Sequence, residues 1–204
     1  ILVVGCSHTF GIGLDDTQVW TYHLKENFMQ EYPKVKVINL SCPGGSNDWI
    51  ARAIATSFDK VKPDLVVPCW TYPNRREAIW DSGLLWELNT TVPDHPDYRH
   101  EFQSHFMTIN EHSDYYNWMR NHWLVKAVCR DVTLLDTHVT EMQVLQKDLQ
   151  TIINYLDIAR DGKHFGPKVH EHFALKIYEK WKDLSKRKRY EAYKSMQKDK
   201  LNVK

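Results

Sequence analysis

Much of what would betray a specialised protein is missing from these 204 residues. There is no surplus of charge of either sign: 27 basic residues stand against 26 acidic ones, for a net charge of +1. No global field therefore recruits nucleic acid or an anionic membrane surface, and a partner must be chosen by a local site. No apolar run approaches the roughly 20 residues that cross a bilayer, which predicts a soluble protein without a membrane partner. The four cysteines, Cys6, Cys42, Cys69 and Cys129, form no pair with metal-ligand or redox spacing. They are expected to be free thiols packed as small apolar groups in a reducing compartment. Neither repeats nor low-complexity tracts are found, and the length suits one α/β domain rather than two. The chain opens at Ile1, without an initiator Met, inside an apolar run that reads as a strand. The natural product is therefore expected to begin earlier, export is left open, and a cytoplasmic setting, including a host cytoplasm or virion, is the expectation.

What is present is a rhythm. Ile1 to Gly5 is a short, wholly apolar run ended by glycine, as in a parallel strand buried on both faces. Between Gln18 and Tyr32, Trp20, Leu24 and Phe28 recur every four residues and mark one face of a helix that stops before Pro33. Val35 to Leu40 reads as a second strand, and Asp48 to Val61 as a helix with Ile50, Ala53, Ile54 and Phe58 inward. Asp64 to Trp70 is a third strand, ending in a polar turn over Thr71 to Glu77. Three strand-loop-helix units in succession predict a doubly wound parallel sheet with right-handed crossovers.

The stretch from 78 to 130 departs from that rhythm and reads as an aromatic-rich insert over the strand ends, with a helix from about Asp114 to Cys129. Its tryptophans, among the eight in the chain, serve either core packing or a substrate platform. A fourth strand is expected over Asp131 to Leu135, a helical stretch between His138 and Leu156, a loop from Asp157 to Gly166, and a helix from Pro167 to Leu184 with proline in its first turn. Residues 185 to 204 form a charged tail, expected to be a solvated helix or a frayed end.

In an open parallel sheet, ligands sit beyond the carboxyl ends of the strands. That edge receives Ser7 from the first loop, Ser41 to Asn47 from the second, Thr71 to Arg75 from the third and Asp161 to His164 from the last. A serine hydroxyl attacks only when a neighbouring base takes its proton and a third group holds that base. Asp161 and His164, three residues apart in a glycine-containing turn, offer a carboxylate and an imidazole from one loop. Singly, each has an ordinary reading: Ser7 as a helix cap, Asp161 and His164 as a surface turn.

Together these segments resemble the SGNH (GDSL-like) hydrolases. Gly5-Cys6-Ser7-His8-Thr9-Phe10-Gly11 is similar to the first block of that family, in a Gly-Cys-Ser-x-Thr variant seen in phage and marine bacterial members. Asn39 to Asn47, with Gly44 and Gly45, resembles the second block, and Asp161-Gly162-Lys163-His164-Phe165-Gly166-Pro167 resembles the fifth. The resemblance implies a three-layer α/β/α fold, flavodoxin-like, with a parallel sheet of about four to five strands. It implies Ser7 as nucleophile, His164 as base, Asp161 as its orienter, and the backbone N–H groups of Ser7 and Gly44 as oxyanion donors. No cofactor or metal is expected. The implied substrate is a small-molecule or carbohydrate ester, such as an O-acetyl group on a sugar, cleaved through an acyl-serine.

The third block departs from the family. Its oxyanion asparagine has no counterpart at the expected position; Asn74 stands two to three residues later, with Thr71 and Arg75 as other candidates. Arg75 and Arg76 could meet a substrate carboxylate or phosphate, or belong to a solvated loop or internal ion pair. His8, adjacent to Ser7, diverges from it and is not expected to be the base. His164, His170 and His172 are spaced by six and two, which does not gather three imidazoles on one helical face for zinc. Two rivals remain: an SGNH-like module whose weakened site binds a glycan, and a nucleotide-binding flavodoxin-like protein, for which Gly11-Ile12-Gly13 is too short a phosphate cradle.

Overall fold

The computed structural model describes residues 1–79, 85–88, 104, 107–153 and 156–201. Its centre is a parallel sheet built from β1 (Leu2–Val4), β2 (Ile38–Asn39), β3 (Leu65–Trp70), β6 (Thr133–Leu134) and β7 (Thr137–His138), in the order β2-β1-β3-β6 with β7 also on β3. The helices are α1 (Ser7–Phe10), α2 (Trp20–Met29), α3 (Asn47–Val61), α4 (Glu111–Val128), α5 (Val139–Ile153) and α6 (Pro167–Leu201).

Strand side chains alternate between two cores, which makes the molecule three-layered. Val3, Leu65, Val67 and Cys69 face one core with Trp20, Leu24 and Phe28 of α2, Met142 of α5 and Phe173 of α6. Leu2, Val4, Val66 and Trp70 face the other with Ile50 and Ile54 of α3 and Val125 of α4. Both faces of the central strands β1 and β3 are dry, so the sequences of these two are apolar throughout rather than alternating. The α/β architecture with a central parallel sheet of four to five strands is as expected. Cys6, Cys69 and Cys129 are buried free thiols and Cys42 is partly exposed.

One detail has a clear cause. β6 and β7 continue a single register along β3, with Leu65 opposite Thr133 and Cys69 opposite Thr137, yet they are separate strands. The interruption falls opposite Val67 and Pro68. Leu135 N–H donates to Val66 C=O at 2.9 Å, so Val66 and Pro68 present their backbone groups to this side. Pro68 has no N–H to give, and the ladder lapses there.

Several boundaries differ from expectation. The second strand pairs only at Ile38 and Asn39. The polar turn after β3 is shorter than Thr71 to Glu77, because β4 (Arg76–Ile79) and β5 (Leu85–Leu88) form an antiparallel pair of their own. The insert helix starts earlier, at Glu111, where Asn110 caps it by accepting from Ser113 N–H at 2.9 Å. The final helix runs 35 residues, far beyond Leu184, so most of the charged tail is helical in its backbone. Much of the insert expected at 78–130 lies outside the described residues. Among the described residues no helix is long and apolar enough to cross a membrane.

Candidate active site

The first loop begins where β1 ends. Ser7 opens α1 and is 7% exposed. The turn is tight enough that a Cβ on Gly5 would lie 2.2 Å from Thr9 Oγ1 and 2.6 Å from Thr9 Cβ. Gly5 and Thr9 thus belong together: the glycine exists so that the threonine can pack under the turn that presents Ser7. Asn39 Nδ2 donates to Thr9 C=O at 3.0 Å and ties β2 to the same turn.

The second loop lies directly against it, since Cys42 N–H donates to Gly5 C=O at 3.1 Å. Gly45 N–H closes a turn onto Cys42 C=O at 3.0 Å, and Gly44 between them has a φ of +77°, a conformation that L side chains rarely adopt. Among the described residues neither the Ser7 nor the Gly44 backbone N–H has an acceptor. Asn47 then clamps the third loop. Its Oδ1 accepts from Thr71 N–H at 2.9 Å and its Nδ2 donates to Thr71 C=O at 3.2 Å, while the residue itself is fully buried.

The last loop is a compact hairpin closed by a bridge between Ile158 and Phe165 and by Ala159 N–H donating to His164 C=O at 2.9 Å. Inside it, Asp161 Oδ1 accepts from the N–H groups of Lys163 and His164, both at 3.1 Å, and Asp161 Oδ2 pairs with His164 Nδ1. The hydrogen bond from the imidazole, with those two backbone donors, holds the Asp161 carboxyl down to about 2, so it is a carboxylate at any ordinary pH. The hairpin is strapped to the first loop: Arg160 N–H donates to Gly13 C=O at 3.1 Å, and Arg160 Nη2 pairs with Asp15 Oδ1 at 2.9 Å. A Cβ on Gly13 would stand 3.1 Å from the backbone N of Asp161. The beginning and end of the chain therefore do meet at one sheet edge.

Between them sits His8, with its ring centroid 4.7 Å from that of His164 and 4.4 Å from that of Phe165. Burial, reinforced by the neighbouring positive charges of His164 and Arg75, lowers the His8 pKa to about 3. It is a neutral packing surface for the imidazole of His164. No hydrogen bond joins Ser7 Oγ to His164 in this arrangement. Such contacts tend to be long in a ligand-free site and to tighten with substrate.

The third loop turns at Tyr72 to Arg75, closed by Arg75 N–H donating to Tyr72 C=O at 3.2 Å. Asn74 is partly buried in this turn, at the right edge of the sheet, but its side chain forms no hydrogen bond among the described residues. The backbone N–H and C=O of Thr71 are held by Asn47, while its buried Oγ1 has no hydrogen-bond partner among the described residues. Arg76 is an internal ion pair with Asp114 at 2.8 Å, one of the readings open from sequence.

The other histidines point elsewhere. His170, 1% exposed, accepts the Trp20 N–H on Nδ1 at 3.0 Å and so caps α2 from α6. Burial above all, with the nearby charge of His8, lowers its pKa to about 3. His172 Nδ1 lies 2.9 Å from Lys168 C=O on its own helix. The three imidazoles do not converge. A groove of about 540 Å³ opens on the far side of the third loop, lined among others by Trp70, Pro73, Tyr115, Trp118 and His138, with neither Ser7 nor His164 in its wall.

Reading the sequence missed Asn39, Asn47 and His8 as the groups that hold the site. The signal was present: both asparagines flank the small-residue loop, and Asn is short enough to bond backbone across a turn.

No family model matches the chain, and no curated protein matches it. Among solved structures the chain is similar to TesA, with 15% identity and a TM-score of 0.48 over 90% of this chain and 98% of that one. It is also similar to the psychrotrophic esterase EstA from Pseudoalteromonas sp., at 15% identity and a TM-score of 0.45 over 89% and 97%. A G-D-S-L family protein from Desulfitobacterium hafniense DCB-2 follows at 13% and 0.43 over 87% and 97%. The likeness to these structures is one of architecture.

Proposed function

We propose that this chain is a serine ester hydrolase of the SGNH type, the family its Gly-Cys-Ser-x-Thr, Gly-Gly and Asp-x-x-His segments resemble. The observation that carries the reading is the Asp161–His164 couple, formed within one hairpin and strapped to the loop that follows Ser7. A carboxylate on Nδ1 leaves Nε2 as the basic nitrogen of a neutral imidazole, the tautomer that general-base catalysis requires.

In this mechanism Ser7 Oγ attacks the carbonyl carbon of an ester as its proton passes to His164 Nε2. The tetrahedral oxygen takes up negative charge and is met by the unpaired N–H groups of Ser7 and Gly44, each worth about 2.7–4 kcal/mol where such donors have been removed elsewhere. Asn74 is the third candidate donor. His164 returns the proton to the departing alcohol, and Asp161 stabilises the imidazolium in between. Water, deprotonated by the same imidazole, then attacks the acyl carbonyl, the bond to Ser7 Oγ breaks to release the acid, and His164 returns the proton to Ser7 Oγ.

The substrate is a small ester or an O-acetyl group on a carbohydrate. Tyr115 and Trp118, in the groove on the far side of the third loop, are aromatic surfaces on which the sugar of such an ester would stack.

Replacing Ser7→Ala tests the reading. Turnover of p-nitrophenyl acetate is expected to fall by about 10⁴-fold or more with the fold intact, and a fluorophosphonate is expected to form an adduct on Ser7. Unchanged turnover, or no adduct where a control esterase reacts, eliminates Ser7 as the nucleophile.

A further inference from the structure

The turn after β3 holds two adjacent cations with opposite fates. Arg76 is fully engaged: Nη2 on Asp114 Oδ1 at 2.8 Å and on Ser113 C=O at 3.3 Å, Nη1 on Arg75 C=O at 3.1 Å. Arg75 has no carboxylate and no other acceptor for its guanidinium among the described residues. Its Nη1 is buried and without a hydrogen-bond partner. A donor taken out of water and left unpaired is costly, and a charged donor more so.

Arg75 is nevertheless held in place. Its guanidinium carbon lies 5.2 Å from the centroid of the Tyr72 ring, a cation–π contact. Tyr72 is itself fixed, since Gln143 Nε2 donates to its hydroxyl at 2.6 Å and its ring packs on the core that contains Cys6. Cys6 immediately precedes Ser7, and His8, which feels the charge of Arg75, immediately follows it. The guanidinium is thus anchored on Tyr72 at the end of β3, the strand paired with β1, preorganised but unsatisfied.

We propose that Arg75 is the anion-recognising residue of this site, so that its preferred esters carry a carboxylate close to the scissile carbonyl. The ester in this statement rests on the hydrolase reading above; the recognition of a carboxylate does not. A planar fork of donors matches a carboxylate in two parallel hydrogen bonds, which an ammonium cannot do. The ground-state carboxylate is favoured over the oxygen that becomes negative during reaction for two reasons. Two backbone donors, those of Ser7 and Gly44, are already proposed for that oxygen, and a permanent cation whose Nη1 is buried and unpaired is best met by a permanent anion.

The test compares kcat/KM for mono-p-nitrophenyl succinate and for p-nitrophenyl butyrate in the wild type, Arg75→Gln and Arg75→Lys. The anionic-to-neutral ratio is expected to fall about tenfold or more in Arg75→Gln, the scale of one charge-assisted hydrogen-bond pair. The loss is expected in KM, and Arg75→Lys is expected to recover part of it. An unchanged ratio overturns the proposal, including the case in which both esters lose equally, which would make Arg75 an oxyanion donor or a structural group.

A second measurement needs no turnover. Calorimetric titration of Ser7→Ala protein with monomethyl succinate is expected to show binding that weakens about tenfold when Arg75→Gln is added. Equal affinities, or no binding to Ser7→Ala, overturn the proposal. Arg75-dependent binding in a protein whose wild type hydrolyses neither ester would uphold it while removing the hydrolase reading.

Discussion

Asp161 grips His164 twice: Oδ2 pairs with the ring at Nδ1, and Oδ1 accepts the backbone N–H of the same residue at 3.1 Å. Ring and backbone are thereby fixed to one carboxylate, which leaves the imidazole little freedom to rotate away from the first loop. Asp161→Asn keeps the shape and removes the charge. An amide can turn its N–H toward Nδ1, which places the imidazole proton on Nε2, where it cannot act as a base. The expected result is a loss of about 10⁴-fold in kcat, measured with p-nitrophenyl acetate against an unchanged circular dichroism spectrum. A loss below tenfold would show that Asp161 does not orient the base.

Asn47→Ala removes both hydrogen bonds to Thr71. The carbonyl of Thr71 keeps a partner in His138 Nε2 at 3.0 Å, but its buried N–H is left with none. The stability cost is expected to be about 1–3 kcal/mol, the range for one unsatisfied buried polar group. Urea midpoints measure it. A change within error would mean that water or a loop shift takes over the Thr71 N–H.

Gly5→Ala places a methyl group where Thr9 already sits, with contacts of 2.2 and 2.6 Å that no rotamer of the new residue relieves. Overpacking of this kind costs about 1–3 kcal/mol. A lowered thermal midpoint is expected, and with it reduced labelling of Ser7 by a fluorophosphonate, because the turn that presents the hydroxyl must shift. Labelling at the wild-type rate would separate the turn from the reactivity of Ser7.

His170 makes stability depend on pH in a defined direction. Its pKa is about 3 in the fold against an ordinary value near 6.5, so between these limits the unfolded chain binds a proton that the folded chain does not. Stability therefore rises with pH through this window and is lost as pH falls from about 6.5 toward 3, with a slope of about 1.4 kcal/mol per pH unit for one proton. His8 adds a second contribution of the same sign. His170→Asn, which retains an acceptor for Trp20 N–H, is expected to flatten the pH dependence of the urea midpoint. An identical slope in the variant would locate the proton uptake elsewhere.

The layered fold was legible because its central strands β1 and β3 are dry on both faces: continuous apolar runs such as Leu65 to Trp70 and four-residue periodicity such as Trp20, Leu24, Phe28 leave little room for another reading. Boundaries set by tertiary pairing were not. Nothing local separates β4 at Arg76 from a polar turn, since its partner lies at Leu88. The break between β6 and β7 is imposed by Pro68, a residue 65 or more positions away in the chain. The site was legible to the level of which loops meet, because glycines and small polar residues cluster at the strand ends. The difference between Arg75 and Arg76 was not, for it rests on Asp114, which pairs with Arg76 and not with Arg75.

The asparagine clamps described above carry a consequence for how the molecule responds to its surroundings. Asn39 on Thr9 and Asn47 on Thr71 are bonds between neutral amides, which neither titrate nor attract counterions. These two clamps are thus indifferent to acid and to ionic strength, whereas the strap between the last loop and the first, an exposed ion pair of Arg160 with Asp15, weakens as salt rises.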